Sequence, residues 1–171
     1  MERKICSTLI NSPIGLIELS ATQRGLLSVK IGCTPKSIGG ARMRCDDNKA
    51  WEVLKSAEHE LKEYFAGRLR EFTVSLEVLG SKFDTMVWSA LRGIPYGEVR
   101  TYRWLSEQIG HPNAYRAVGG ALSRNPLPIF LPCHRVVRSD GGLGGFSAGV
   151  DVKRFLLRLE KEKVGLDLNH L

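Results

Sequence analysis

Short apolar stretches separated by turn residues dominate the first third of the chain. They cover residues 5–10, 16–20 and 26–31, with polar turn residues between them. Short apolar runs joined by tight turns predict an antiparallel meander of three strands. Residues 32–48 are polar and glycine-rich without periodicity, which predicts a loop.

A helical pattern and then an alternating one complete the first half. Apolar residues recur at helical spacing over residues 49–66, and Gly67 follows where helices commonly end. Apolar and polar residues then alternate over residues 72–78, which is the period of a strand with one buried face. We therefore predict a helix followed by a fourth strand, with a boundary near Gly80.

The second half of the chain predicts mainly helices. Ser81 and Thr101 precede apolar stripes of helical spacing, and both are preferred N-cap residues. Asn113 is expected to cap a third helix that runs to about Arg124, after a turn that contains Gly110. Two helices joined by a short turn with glycine form the helix-turn-helix pattern.

The third of these helices has one apolar face and one face of small or polar residues. The second face consists of Tyr115, Arg116, Gly119, Gly120 and Ser123. Each of two glycines in mid-helix costs roughly 1 kcal/mol relative to alanine. They are explained if a large partner approaches the helix backbone closely, or alternatively if another helix crosses there.

These elements predict an α+β protein with two domains. Residues 1–80 are expected to form an N-terminal α/β domain with an antiparallel sheet and one helix. Residues 81–171 are expected to form a mostly helical domain that contains the helix-turn-helix. A chain of 171 residues is long enough to bury one large core or two small ones.

Positive charge is concentrated in the second half and carried by arginine. The net charge is +7, and every lysine or arginine between positions 92 and 138 is an arginine. The planar guanidinium suits phosphate groups, which favours a nucleic-acid partner over a merely solvated basic face. The sequence contains neither a membrane-spanning stretch nor a signal peptide. We therefore expect a cytoplasmic location, nucleoid-associated in a prokaryote, or a nuclear one in a eukaryote.

The four cysteines are Cys6, Cys33, Cys45 and Cys133. None of them forms a C-x-x-C pair, and a metal site built from the first three with His59 has irregular spacing. We therefore expect no metal and no other cofactor. Disulfides are rare inside cells, so none is expected unless the source is a hyperthermophile.

Residues 131–137 place a cysteine, a histidine and an arginine in consecutive positions. Pro132 stiffens the backbone before Cys133, and the two valines after Arg135 predict a short buried strand. A buried core cysteine is the ordinary interpretation, but the adjacent His134 favours a reactive thiolate. If the strand includes Cys133 and His134, their side chains point to opposite faces and do not touch directly.

A glycine-rich segment and a final helix follow. Residues 139–149 contain five glycines, which we interpret as a loop whose backbone lies against a ligand. Residues 151–161 predict a helix. Its inward face is expected to consist of Val152, Phe155, Leu156 and Leu159. Glu160 lies beside that face, either solvated or turned inward toward a histidine.

Five short motifs match a known family in the same order. They are Gly97-Glu98-Val99 with Thr101-Tyr102, Arg116-Ala117-Val118-Gly119-Gly120-Ala121, Asn125-Pro126, Pro132-Cys133-His134-Arg135-Val136 and Gly144-Gly145-Phe146-Ser147. They resemble the motifs of the O6-alkylguanine-DNA alkyltransferases, also called methylated-DNA–protein-cysteine methyltransferases. The resemblance is strong over residues 81–162. The N-terminal part is similar in layout only, which implies a ribonuclease-H-like arrangement.

The resemblance implies a set of roles around one cysteine. Cys133 is the alkyl acceptor, and His134 and Glu160 match the pair that activates it through a bound water. Arg116 takes the place of the flipped nucleotide in the duplex, and Tyr102 helps to rotate that nucleotide outward. The other implied residues are a hinge, Asn125; contacts to DNA, Thr101, Ala117, Gly119, Gly120, Ser123 and Arg124; and a guanine pocket, Val136, Gly144, Phe146 and Ser147. Phe146 stands where many members have tyrosine, which keeps the aromatic wall but removes a hydroxyl donor.

The implied activity is DNA repair by irreversible, stoichiometric transfer of an alkyl group to Cys133. The donor is O6-alkylguanine, with O4-alkylthymine as a further candidate, and a stacked base must be flipped out of the duplex to reach the protein. The partner is double-stranded DNA that carries the lesion, and a monomer without a cofactor is expected. The alternatives are a DNA-binding regulator with an inert cysteine, a non-catalytic lesion sensor and a cysteine hydrolase. The presence of Cys133 argues against the sensor, and the adjacent base argues against the hydrolase.

Overall fold

The computed structural model of the protein describes residues 4–34 and 45–165. It divides the chain into two compact units, Met1–Leu79 and Gly80–Leu171. The predicted α+β class is confirmed, since the first unit holds an antiparallel sheet and the second is mostly helical. None of the helices within these residues combines the length and the apolar character needed to span a bilayer.

The first unit is built on a three-stranded antiparallel sheet, which confirms the predicted meander. Its strands, in spatial order, are β1 (Cys6–Ser12), β2 (Gly15–Thr22) and β3 (Gly25–Ile31). Thr8, Leu19 and Val29 stand side by side across the sheet, and all three are buried. This register places one face of the sheet in the core of the unit.

Helix α1 (Asn48–Phe65) covers that face and confirms the predicted helix. Asp47 caps it by accepting hydrogen bonds from the backbone N–H groups of Lys49 and Ala50. Gly67 adopts a φ of +71° just after the helix, a conformation that glycine enters without steric cost. The apolar residues that α1 buries are Ala50, Leu54, Ala57, Leu61 and Tyr64.

The predicted strand at residues 72–78 is wrong. Only Leu76 pairs with the sheet, through a single bridge to Leu26 beside Gly25. The backbone N–H groups of Thr73 and Val74 instead donate to the buried carboxylate of Glu60 in α1. The apolar residues of the alternating pattern are only half-buried, and Glu77 on its polar side is buried. The side chain of Glu60 takes hydrogen bonds that a neighbouring strand would have made.

The structure contains a disulfide, although the expected intracellular location argued against one. Cys6 at the start of β1 is bonded to Cys45, with 4.9 Å between their Cα atoms. Cys33 and Cys133 are the free cysteines among the described residues. The argument from an intracellular setting concerned redox conditions, whereas the fold brings together two cysteines that are 39 residues apart in sequence. No cluster of metal-ligating side chains occurs within residues 4–34 and 45–165.

The second unit contains four helices in its described part. They are α2 (Lys82–Leu91), α3 (Tyr102–Gln108), α4 (Tyr115–Ser123) and α5 (Val150–Val164). Ser81 caps α2 and Thr101 caps α3, each through its side-chain oxygen, as predicted. Helices α3 and α4 pack together across a short turn, so the helix-turn-helix is present.

Asn113 does not cap α4, contrary to the prediction. Its φ is +74°, and α4 begins after Ala114 without any side-chain cap. The turn after α3 is closed by a hydrogen bond from the N–H of His111 to the carbonyl of Ser106. Asparagine tolerates the left-handed conformation better than most residues, which explains its presence in the turn.

Helix α2 holds α4 in place. The indole N–H of Trp88 donates to the carbonyl of Ala121 at 2.8 Å, and Arg124 pairs with Asp84 at 2.7 Å. Val118, Ala121 and Leu122 form the buried face of α4. The opposite face of α4 is therefore left toward solvent and toward the cavity described below.

Candidate active site

The centre of the site is a short 3₁₀ helix, Cys133–Arg135, followed by strand β5 (Val136–Val137). The valines form the predicted strand, which pairs in parallel with β4 (Arg100–Thr101). The cysteine and histidine precede the strand, so the premise that they alternate across it is wrong. Pro132 and Leu131 cause this, since their carbonyls accept from Arg135 and Cys133 in a tight turn.

Cys133 is buried, with 5% of its surface exposed. Burial raises the pKa of its thiol to about 11, because the thiolate loses its hydration. The nearby side chain of Asn125 and the charge of Lys153 lower the pKa and so act in the opposite direction. The resting side chain is therefore a neutral thiol at neutral pH, and its reaction requires a base.

His134 and Glu160 form a fully buried pair, with 2.7 Å between Nε2 and Oε1. Burial lowers the pKa of His134, while Glu160 opposes that effect. Burial alone would raise the pKa of Glu160, but the contacts with His134 and Arg135 outweigh it and lower the pKa to about 2. Glu160 is thus a carboxylate that accepts a hydrogen bond from Nε2–H of a neutral imidazole, which leaves Nδ1 as the basic nitrogen.

Arg135 was not predicted from the sequence as a site residue. It is 6% exposed, and its guanidinium donates to both oxygens of Glu160, from Nε at 2.9 Å and from Nη2 at 3.0 Å. Nη1 donates to the carbonyl of Ile94, and the N–H of Gly97 donates to Glu160. The position of Arg135 directly after the cysteine and histidine was the available signal.

Lys153 in α5 was also missed. It is fully buried, and Nζ donates to the carbonyls of Val136 and Gly145 at 2.6 and 3.2 Å. Burial lowers its pKa to about 8. Lys153 and Glu160 are seven residues apart, which places both on one face of the helix.

That face of α5 differs from the predicted one. Lys153, Leu156, Leu157 and Glu160 are buried, whereas Phe155 is 37% exposed. Phe155 was predicted to point inward, and this is wrong. The prediction considered only apolar residues, so it chose a buried face that did not include the two buried charged residues, Lys153 and Glu160.

A cavity of about 970 Å³ lies beside Cys133. It is formed by α3, α4 and the glycine-rich loop. Among the residues predicted from the sequence, those that line it are Tyr102, Arg116, Gly119, Ser123, Cys133, Gly144, Phe146 and Ser147. The loop predicted to lie against a ligand also contributes Ser139, Asp140, Gly142, Leu143 and Gly145. Lining residues that were not predicted as pocket residues are Arg103, Tyr115, Leu122 and Arg138.

The other predicted residues lie outside the cavity lining. Thr101 is the cap of α3, and Val136 is fully buried in β5. Ala117 is exposed on α4, and Gly120 lies under the guanidinium of Arg124. Arg124 is paired with Asp84.

Tyr102 contacts the glycine-rich loop. Its hydroxyl lies next to Gly144, and burial raises the pKa of Tyr102. Gly144 has a φ of +74°, and a β-carbon placed on it would lie 2.5 Å from that hydroxyl. Glycine is therefore required at position 144 both by the backbone conformation and by the close approach of Tyr102.

Asn125 joins the end of α4 to the reactive turn. Its side-chain N–H donates to the carbonyl of Leu131 at 2.9 Å, and its oxygen accepts from the N–H of Leu127 at 3.0 Å. These two contacts fix the segment between α4 and the 3₁₀ helix.

Two family models match the chain. The one described as the DNA-binding domain of 6-O-methylguanine DNA methyltransferase matches residues 82–162. The one described as the ribonuclease-like domain of the same protein matches residues 5–78. They confirm the resemblance seen in the motifs and the ribonuclease-like layout of the first unit.

Curated relatives and solved structures agree with these models. A methylated-DNA–protein-cysteine methyltransferase of Methanosarcina barkeri is 42% identical over 156 residues, which cover 91% of this chain and 97% of the relative. The structure of Mycobacterium tuberculosis O6-methylguanine methyltransferase has a TM-score of 0.82 at 38% identity and covers 96% of this chain and 98% of its own. Mycobacterium tuberculosis OGT in complex with DNA has a TM-score of 0.79 at 39% identity, over 91% of this chain and 92% of its own.

Proposed function

Because the chain belongs to the 6-O-methylguanine DNA methyltransferase family, we propose that it repairs DNA directly, by moving the alkyl group of an O6-alkylguanine onto the sulfur of Cys133. The observation that carries this proposal is a buried thiol that lines a cavity, next to a buried histidine–glutamate pair. A thiol with a pKa of about 11 reacts only when a base removes its proton.

His134 is the base in this proposal. Its Nδ1 is buried and has no hydrogen-bond partner among the described residues, so it is available to receive the Cys133 proton, directly or through a water. Glu160 holds the other nitrogen and stabilises the imidazolium that forms. The pair is thus arranged to generate a thiolate only briefly, when an alkyl group is present.

The transfer step forms one bond and breaks one. The thiolate attacks the alkyl carbon, the bond from that carbon to O6 breaks, and its electron pair stays on the guanine. The thiol proton held by His134 ends on the leaving guanine. A thioether remains on Cys133, and because such C–S bonds resist hydrolysis, each molecule reacts once.

Access to Cys133 requires the base to leave the duplex. The cavity is within the ~300–1,000 Å³ range of small-molecule pockets, while a base stacked in DNA cannot reach a nucleophile that is 5% exposed. In this proposal Arg116, which is exposed on α4 and lines the cavity, occupies the space of the flipped nucleotide. Tyr102, which also lines the cavity, assists the rotation.

The partner in this proposal is double-stranded DNA that carries the lesion, bound by a monomer through the outer face of α4. Thr101, Ala117, Gly119, Gly120, Ser123 and Arg124 are the further contacts. The small residues of α4 allow its backbone to approach the DNA. To contact DNA, Arg124 has to break its ion pair with Asp84 or to use the guanidinium N–H groups that Asp84 does not bind.

The test is intact-protein mass after incubation with a duplex that contains O6-methylguanine. The wild-type protein should gain the mass of one methyl group, located on Cys133 by peptide mapping, and excess DNA should add no second group. Cys133→Ser should gain none. Cys33→Ser, which removes the other described free thiol, should react as the wild type does. Stoichiometric demethylation by Cys133→Ser, or no gain by the wild type, would contradict the proposal.

A further inference from the structure

The carboxylate of Glu160 is shared between two partners. Oε1 accepts from Nε2 of His134 at 2.7 Å and from Nη2 of Arg135 at 3.0 Å. Oε2 accepts from Nε of Arg135 at 2.9 Å and from the N–H of Gly97 at 3.1 Å. A guanidinium that holds both oxygens fixes the orientation of a carboxylate more firmly than a single bond does.

The guanidinium is itself held on its remaining sides. Nη1 donates to the carbonyl of Ile94 at 2.7 Å, and the ring of Tyr96 lies 5.6 Å from the guanidinium carbon. Arg135 has 6% of its surface exposed, and Glu160 has none. The ion pair is thus built into the interior at the point where the carboxylate meets the imidazole.

We propose that Arg135 is a positioning residue of the alkyl transfer: by holding both oxygens of Glu160, it keeps that carboxylate charged, aimed at Nε2 of His134 and only partly available to it. His134 consequently remains a neutral base with its free electron pair on Nδ1. The inference rests on the proposed roles of Cys133 and His134.

The charges around His134 define what Arg135 contributes. Glu160 and Lys153 face the imidazole from α5, and Arg135 and Cys133 share its 3₁₀ helix. Glu160 alone would favour the imidazolium, which cannot accept the Cys133 proton. Arg135 offsets part of that charge, as Lys153 does from the other side. Loss of the arginine charge therefore favours protonation of His134. As the pH falls, His134 should become protonated, and so stop acting as a base, at a higher pH than in the wild type.

The test is the pH dependence of the single-turnover rate of Cys133 alkylation by an O6-methylguanine duplex. In Arg135→Gln, which keeps a hydrogen-bonding side chain without the charge, the acidic limb of the profile should move to higher pH by about one unit or more. Arg135→Lys, which keeps the charge but cannot hold both oxygens, should leave the limb in place and lower the plateau several-fold. The matched control is Arg68→Gln, since Arg68 holds both oxygens of Glu63 at 2.8 and 2.7 Å in the first unit. This control should change neither the limb nor the plateau.

The outcomes separate this inference from the proposed function. If the wild type is alkylated and Arg135→Gln loses rate equally at every pH, Arg135 is only structural and the inference is overturned. If Arg135→Gln does not fold, Arg135→Lys provides the test. In that variant, an acidic limb that moves along the pH axis, or a plateau rate equal to that of the wild type, overturns the inference. Absence of Cys133 alkylation in the wild type would instead overturn the proposed function.

Discussion

At the scale of single residues, the proposed mechanism keeps the nucleophile neutral until a separate residue, the base, activates it. Cys133 is kept as a neutral thiol by burial, and the basic nitrogen of His134 is kept ready by a carboxylate that is already ionised. A permanently ionised cysteine would react with any electrophile that enters the cavity. The arrangement therefore favours reaction with a bound alkylated base over side reactions.

The first prediction concerns the pH dependence of this thiol. Because a raised pKa favours the neutral form, the rate of Cys133 labelling by iodoacetamide should still rise between pH 9 and 10. A free cysteine levels off above its pKa of ~8.5. The measurement uses Cys33→Ser, so that Cys133 is the free thiol of the described part, and compares it with an unfolded peptide of residues 129–137. A plateau near pH 9 in both samples would contradict the burial effect.

At the scale of elements, the glycine-rich loop and α3 form one wall of the cavity. Gly144 has a positive φ and leaves no room for a β-carbon beside Tyr102. Gly141 has a φ of +87° as well, but nothing lies within 4 Å of a β-carbon there. A comparison of substitutions at Gly141 and Gly144 therefore distinguishes the effect of backbone strain from the effect of contact with Tyr102.

Gly144→Ala is therefore expected to harm the site more than Gly141→Ala. Both substitutions carry the left-handed strain of about 1–2 kcal/mol, and only the first displaces Tyr102 or the loop. We expect both variants to melt at lower temperature, and Gly144→Ala alone to react with the O6-methylguanine duplex about tenfold more slowly. Thermal unfolding and single-turnover rates measure the two effects. Equal rates for the two variants would show that the contact is unimportant.

Helix α4 carries the other wall, and its contribution depends on the duplex. Arg116→Ala should slow repair of an O6-methylguanine duplex by about tenfold or more, because the space of the flipped nucleotide is no longer filled. Reaction with a free O6-alkylguanine base needs no flipping and should change little. Arg158→Ala removes the same charge from an exposed position on α5 and serves as the control. Equal losses on both substrates would argue against a flipping role.

At the scale of the whole molecule, each unit contains a feature that links distant segments of its chain. The second unit contains the buried hydrogen-bonded network of His134, Arg135 and Glu160. The first unit contains a covalent crosslink, Cys6–Cys45, between its first strand and the segment before α1. A crosslink of this kind stabilises a unit mainly by restricting its unfolded state.

Removal of this disulfide should destabilise the first unit. For a loop closed by cysteines 39 positions apart, the chain-entropy relation gives roughly 4 kcal/mol. Urea unfolding of the Cys6→Ser, Cys45→Ser double variant, followed by a probe in the first unit, should show a loss of this order. Cys33→Ser should show none. A double variant as stable as the wild type would mean that the crosslink is not formed in solution or does not restrict the unfolded chain.

The sequence alone determined those features that depend on local chemistry and spacing. The three strands of the meander, α1, the caps Ser81 and Thr101 and the helix-turn-helix follow from the repeat of apolar positions and from residues with strong local preferences. The motif around Cys133 identified the family for the same reason, since its reactive residues are adjacent in the chain. The helical pattern left Glu160 either solvated or turned toward a histidine, and the family resemblance gave it a role, whereas its partner Arg135 was given none.

The tertiary structure decided what depends on contacts between distant segments. Glu60 took the hydrogen bonds that a strand at residues 72–78 would have made, and Cys6 met Cys45 across 39 positions. The inward face of α5 is set by Lys153 and Glu160, two charged side chains that an apolar count ignores. They are buried because the carbonyls of Val136 and Gly145 and the side chains of His134 and Arg135 satisfy them there. A charged side chain can be buried only where hydrogen-bond or ion-pair partners compensate for its lost hydration, and the sequence alone does not show which partners will be close to it in the fold.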